Sequence, residues 1–133
     1  MTLNERLDKA AQLRSRGYNC AQSVIMCFED ITSLPEETSA RISAALGTGV
    51  AACREICGVA NAIALTIGTR HSADPSAKVP AAKEAHGVIE RFAACNNNLL
   101  ACRDLKGQPG CRSCNELVAL GVELLDDHFR NNP

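Results

Sequence analysis

Apolar positions recur every three or four residues along most of the chain, the period of a helix with one buried face. Leu3, Leu7 and Ala10 or Ala11 form the first stripe. Thr2 and Glu5, spaced as a capping box, predict a helix from Thr2. Gly17 should stop it, just after Arg14 and Arg16, cations suited to the negative helix end. Cys20, Val24, Cys27, Phe28 and Ile31 share one face of a second predicted helix over 20–30, with Asn19 as N-cap and Gln22 completing a capping box. A third is expected over 34–46. Ser33 and Glu36 would cap it, Pro35 would sit in its first turn, and Ile42, Ala45 and Leu46 would face inward.

Gly47-Thr48-Gly49 breaks the pattern. The segment 50–67 is rich in small residues (Ala51, Ala52, Gly58, Ala60, Ala62, Ala64), which predicts a central helix closely approached by its neighbours. A strand over 62–67 is the alternative, disfavoured by its alanines. Residues 68–80 read as a loop broken by Pro75 and Pro80. A helix over 81–95 follows, with Val88, Ile89, Phe92 and Ala93 inward and Gly87 weakening it. Asn96-Asn97-Asn98 marks a turn, and 99–105 a short helix ended by Gly107. The last helix is expected over 114–129, started by a Ser113–Glu116 capping box and carrying the stripe Val118, Val122, Leu125, Phe129. No repeat or linker divides the chain. The expectation is a single all-α domain over 1–133, a bundle of five or six helices, with function in the loops and helix starts at one end.

Composition adds exclusions. Hydrophobic residues make up 46% and charged residues 22%, so a real core is expected. The longest apolar run, 59–67, falls short of the ~20 residues that cross a membrane. The first residues lack an apolar signal segment, so a cytoplasmic location is expected. A net charge of −1 with scattered Lys and Arg argues against nucleic acid as a partner. The aromatics Tyr18, Phe28, Phe92 and Phe129 are too few for a stacking surface.

The unusual feature is eight cysteines. In a reducing compartment this density points to metal binding or redox chemistry. Some should be small buried hydrophobes, Cys27 on its apolar face among them. Cys20 and Cys114 each directly follow a predicted N-cap, where the helix dipole and unpaired amides favour a thiolate, both the nucleophile and the metal ligand. Arginines adjoin Cys53, Cys102 and Cys111. Cys111-x-x-Cys114 is a CxxC pair, and Cys53-x-x-x-Cys57 could complete a zinc set. Neither a thioredoxin context, a haem-attachment motif nor a compact ferredoxin spacing is present. His71, His86 and His128 read as solvated or helix-capping. No acid/base constellation or phosphate loop stands out, so an electron-transfer or metal-binding protein is expected over an enzyme acting on an organic substrate.

The stretch Gly17-Tyr18-Asn19-Cys20-Ala21-Gln22-Ser23-Val24, with Cys57-Gly58, Cys102-Arg103-Asp104-Leu105 and Cys114-Asn115-Glu116-Leu117-Val118, resembles the C_GCAxxG_C_C family of redox-active bacterial and archaeal proteins. The resemblance runs from about residue 10 to 125. One departure is the family's Cys-Gly-Ala-x-x-Gly, which reads Cys57-Gly58-Val59-Ala60-Asn61-Ala62 here. The resemblance implies a prosthetic group, usually suggested to be an iron–sulfur cluster, on Cys20, Cys57, Cys102 and Cys114. The expected function is electron transfer to a partner oxidoreductase or redox protein. A thiol–disulfide redox or sensor protein and a zinc- or copper-binding protein, using the same cysteines, are the alternatives. No membrane partner is expected, and a homodimer stays open.

Overall fold

The computed structural model describes residues 1–106 and 108–133; the helix stop expected at Gly107 lies outside them. Among the described residues there are eight α-helices: α1 (Leu3–Ser15), α2 (Cys20–Ile25), α3 (Glu29–Thr32), α4 (Glu36–Ser43), α5 (Gly58–Gly68), α6 (Lys78–Ala94), α7 (Cys102–Leu105) and α8 (Cys114–Asn131). The all-α class read from the sequence is the class observed. No helix among these residues is long and apolar enough to cross a membrane.

The starts of α2, α5 and α8 lie at one end, with α1 and α6 running the other way. Arg14 near the end of α1 meets Asn115 at the start of α8, whereas Arg6 meets Asp126 near its far end. Glu84 in the first half of α6 approaches His128 near the end of α8, and Asn96 just beyond α6 accepts from Arg112 just before α8. The core between these helices is made by Val24, Ile25, Phe28, Val59, Ile63, Phe92, Val122 and Leu125, each at most 2% exposed except where Phe129 and Leu117 close its edges. The central segment packs closely because α8 offers a hydrogen where Val59 arrives. A methyl group at Gly121 would collide with the Val59 side chain.

Several boundaries differ from the sequence reading. The second predicted helix is two. Its interruption falls at Phe28 (φ −123°, ψ 32°), beside the Cys27 carbonyl, which accepts from the Arg6 guanidinium at 2.7 Å instead of from a helical amide. Ser33, expected to start the next helix, is a left-handed residue (φ 60°) that ends α3, and α4 begins at Glu36 after Pro35. Its inward face is Ser39 and Ser43, while Ile42 is 45% exposed. The Gln22 and Asn19 side-chain amides donate to the Ala40 and Ala44 carbonyls, both at 2.9 Å, which turns that face toward α2. Pro80 does not break a helix but sits in the first turn of α6, where its missing N–H is no loss. The short helix expected over 99–105 is reduced to α7.

The largest difference lies between α4 and α5. Residues 50–57, expected as helix, are irregular, and Thr48, Gly49, Val50, Ala51 and Ala52 are consecutive left-handed residues with φ of 51–66°. Each non-glycine residue there costs about 1–2 kcal/mol. Backbone bonds from Ala51 to Ala45 (2.7 Å), Arg54 to Thr48 (3.1 Å) and Glu55 to Gly49 (3.0 Å) offset part of that strain.

Far from the start of α8, Arg6 is 4% exposed and is held by Asp126 (3.0 Å) and Asp30 (2.7 Å). The Arg6 hydrogen bonds hold the Asp30 carboxyl below its usual value. Burial pushes Asp126 upward, but Arg130 and Arg6 outweigh it and hold it low as well. Removing one partner of a buried pair costs about 3–5 kcal/mol. Arg6→Met should therefore lower unfolding stability at pH 7 by about that much in urea titrations. Because both carboxyls are depressed on folding, their contribution is present above the unfolded value of about 3.9 and lost as pH falls through the folded values. The acid-side loss of stability should be smaller in Arg6→Met than in the parent.

Candidate cysteine site

Four helix starts converge at one end of the bundle, and each carries a cysteine. Cys20 is the first residue of α2, behind a complete capping box. The Asn19 side chain accepts from the Gln22 amide at 2.8 Å, and the Gln22 side chain accepts from the Asn19 amide at 3.0 Å. Cys114 opens α8 behind the same device, built from Ser113 and Glu116 with bonds of 3.2 and 3.0 Å. Cys57 is the residue just before α5, and Cys102 is the first residue of α7.

Cys57 and Cys102 are placed by each other's strands of chain. The Cys57 amide donates to the Leu100 carbonyl at 2.8 Å, and the Cys102 amide donates to the Glu55 carbonyl at 2.6 Å. Ile56 and Ala101 form a single antiparallel bridge between these bonds. Arg103 and Glu55 form an ion pair beside it. Cys20 and Cys57 are brought together by Gly58. A Cβ on that glycine would lie 2.5 Å from the Cys20 sulfur and 3.0 Å from the Leu46 carbonyl. The position has to be glycine for the starts of α2 and α5 to approach this closely.

All four cysteines line one cavity of about 130 Å³, several times the room a single water needs. Val59, Leu105 and Leu117 give it apolar walls. Cys27, Cys53, Cys95 and Cys111 do not line it. Cys27 is buried against α1, its sulfur donating to the Ser23 and Arg6 carbonyls, and Cys53 and Cys95 are exposed. The CxxC pair is thus divided, since Cys114 faces the cavity without Cys111. Likewise Cys57 lines it without Cys53.

Burial is the main influence on the thiols here. It pushes Cys57 up to about 11, against the amides of Val59 and Ala60, which make no regular cap bond but stand near enough to favour the thiolate. The charges of Cys20 and Cys102 raise it further. Cys102 is also raised by burial, and by Cys114 and Cys20, while Lys106 and Arg54 pull it back. The four sulfurs therefore sense one another across the cavity. Among the described residues, no three His, Cys, Asp or Glu side chains close on a single point that would hold one metal ion.

A family profile described as "Putative redox-active protein (C_GCAxxG_C_C)" matches residues 18–128. The chain belongs to the C_GCAxxG_C_C family. No curated protein and no solved structure matches it. The matched span contains the four cavity cysteines and leaves out α1, which adds Arg14 to the cavity wall. Val59, a departure that the resemblance marks in the sequence, is accommodated by Gly121 on α8. Ala62, the other departure that the resemblance marks, is fully buried.

Sequence reasoning missed Arg14, Thr48, Lys106 and Arg112 as cavity residues. Lys106 had a local signal, four residues after Cys102 and so on the same side of a helical turn. Arg112 was visible only as a neighbour of Cys111, and Arg14 only as a helix-end cation.

In metal-free protein, thiols should react with iodoacetamide according to burial. Cys27, pushed up to about 12 by burial, and Cys57, at about 11, should label more than ~100-fold more slowly at pH 8 than exposed Cys53. Peptide mapping by mass spectrometry reads these rates. Equal labelling of Cys27 and Cys53 would mean that the end of α2 opens readily.

Proposed function

We propose that the protein holds an iron–sulfur cluster through Cys20, Cys57, Cys102 and Cys114 and exchanges electrons with a partner oxidoreductase. The observation that carries this reading is that four cysteines, far apart in sequence, line one cavity at converging helix starts. Four thiolates are the usual ligand set for such a cluster. The donors are all sulfur, with no histidine or carboxylate in the cavity wall, which suits a soft metal centre. Among the described residues no three such side chains close on one point, so the preference for a cluster over one zinc or copper ion rests on the four-thiolate set.

The cluster would supply one-electron storage at a potential set by its surroundings. The chain's own contribution is separable from that. Thiols raised by burial and by one another are costly to ionise together, and a cationic core would relieve that repulsion. Val59, Leu105 and Leu117 supply the apolar part of the wall around the sulfurs. Gly58 allows Cys20 and Cys57 to share the cavity, and the paired segments 55–57 and 100–102 hold Cys57 and Cys102 in register.

Protein purified anaerobically from iron-replete cells should be brown and contain iron and acid-labile sulfide. Cys57→Ser should bleach it, while Cys53→Ser, outside the cavity, should leave the colour. Colourless protein that instead forms a reversible disulfide among the same cysteines would replace the cluster reading with thiol–disulfide redox or sensing. Stoichiometric zinc or copper without sulfide would replace it with single-metal binding.

A further inference from the structure

Charge is divided unevenly between the two ends of the bundle. The cysteine end is built from residues 14–20, 44–58 and 95–116, each stretch supplying part of the cavity wall. These segments carry six cations, Arg14, Arg16, Arg54, Arg103, Lys106 and Arg112, against three carboxylates, Glu55, Asp104 and Glu116. The chain holds 14 Lys and Arg and 15 Asp and Glu in all, which leaves eight cations and twelve carboxylates for the remainder. With histidine neutral, the cysteine end is positive by three charges and the rest is negative by four. The ion pair of Arg103 with Glu55 is already inside that balance.

The same end carries an exposed apolar loop. Residues 50–56 run between Thr48 and Cys57, which both line the cavity, and all seven are exposed. Val50, Ala51, Ala52, Cys53 and Ile56 make it largely apolar. Val50 and Ile56 are two of the five large hydrophobic side chains that stand exposed among the described residues. Arg54 belongs to this loop, and Arg103 lies beside it, its amide donating to the Arg54 carbonyl at 3.2 Å. An apolar centre with charges around it is the pattern of a protein–protein contact.

We propose that the cysteine end is a docking face for a protein partner whose own contact surface is acidic, with the 50–56 loop as its apolar centre and Arg54 and Arg103 as steering charges. The docking stands on charge and exposure; that this partner exchanges electrons rests on the cluster reading. An acidic partner is drawn to this end and repelled by the rest of the chain, so the encounter is oriented before contact. A long polyanion such as nucleic acid would meet the negative remainder as well, and it would find Tyr18 as the one aromatic ring of this end. Weak redox encounters bury less than about 600 Å² on each side, under a tenth of the 6979 Å² that this chain exposes, so one end of the bundle is enough.

The test uses two purified redox proteins of opposite surface charge as probes, an acidic flavodoxin and a basic cytochrome c. Each is titrated into the full-length chain, metal-free and iron-loaded, and amide NMR shifts of the metal-free protein locate the contact. The flavodoxin should bind and should shift residues 50–56 and 103–106, not the start of α6. Its binding should weaken between about 10 mM and about 150 mM salt, where the screening length falls from about 30 Å to about 8 Å. Arg54→Gln with Arg103→Gln, both outside the cavity wall, should weaken binding at least about threefold at low salt. Lys78→Gln with Lys83→Gln removes the same charge from α6 and should leave binding unchanged. Val50→Ser should weaken binding equally at both salt concentrations. A tighter complex with cytochrome c, no complex with flavodoxin at low salt, or equal weakening by the two double variants would overturn the proposal. A salt-sensitive dimer of the chain in sedimentation, formed through the same residues, would give the face to a second copy and overturn it too. If the parent takes up no iron, the cluster reading fails, and binding to the metal-free protein still decides for or against the docking face.

Discussion

The site depends on the contact between the Cys20 sulfur and the hydrogen of Gly58. A side chain at residue 58 would begin 2.5 Å from that sulfur, well inside any van der Waals separation. The Cys20 sulfur would have to turn aside and the Leu46 carbonyl to give way, so Cys20 and Cys57 could not both keep these places on one cavity. Much of the neighbouring structure keeps this contact in place. Asn19 and Gln22 cap α2 and reach across to the carbonyls of α4. Gly47 leaves room for the Asn19 side chain, and Gly121 leaves room for Val59 one residue beyond the contact.

The left-handed segment over residues 48–52 follows from the same constraint. α4 ends beside the start of α2, and α5 must begin beside that start as well, so the intervening chain has to turn back within a short distance. A right-handed helix through residues 50–57 would carry Cys57 away from Cys20. The chain turns instead with the opposite hand, at a cost that falls on Thr48, Val50, Ala51 and Ala52. Its amides then bond to carbonyls six residues back at three places, from Ala51, Arg54 and Glu55. The Glu55 carbonyl is thereby presented to the amide of Cys102. Strain in one loop and the placing of two cysteines are thus parts of one arrangement.

These relations mark what could be read from the residues. Capping chemistry is local, so Asn19–Gln22 and Ser113–Glu116 identified two helix starts and two cavity cysteines before any tertiary contact was known. The stripes of α1, α6 and α8 were legible for the same reason. The break after Ile25 was not, because it involves an arginine twenty-one residues away in sequence taking the Cys27 carbonyl. The segment over 50–57 was misread because alanine favours helix, whereas closure between α4 and α5 decided its path. Cys57 stood out only beside Cys53 as part of a possible zinc set and Cys102 only beside an arginine, and the family resemblance alone joined them to Cys20 and Cys114; the hydrogen bonds that place them join residues about forty-five apart. The basic lining was invisible as a group, since Arg14, Lys106 and Arg112 converge only in three dimensions.

The two ends of the bundle also differ in how charge is handled. At one end Arg6 is buried with Asp30 and Asp126 on its guanidinium and Arg130 on the same aspartate, so the charges are satisfied within the protein. Such a network orders the helices it joins and leaves little field for a ligand. At the other end Arg14 and Arg112 are fixed by neutral oxygens, four thiols share one cavity, and part of its wall is apolar. Neither the sulfurs nor the cations there complete one another through ordinary ion pairs. Unpaired cations do not by themselves set that end apart, because among the described residues Arg70, Lys78 and Lys83 pair with no carboxylate either, and exposed pairs add little stability. What does set it apart is the meeting of four cysteines at four helix starts, and the cluster reading draws its support from there.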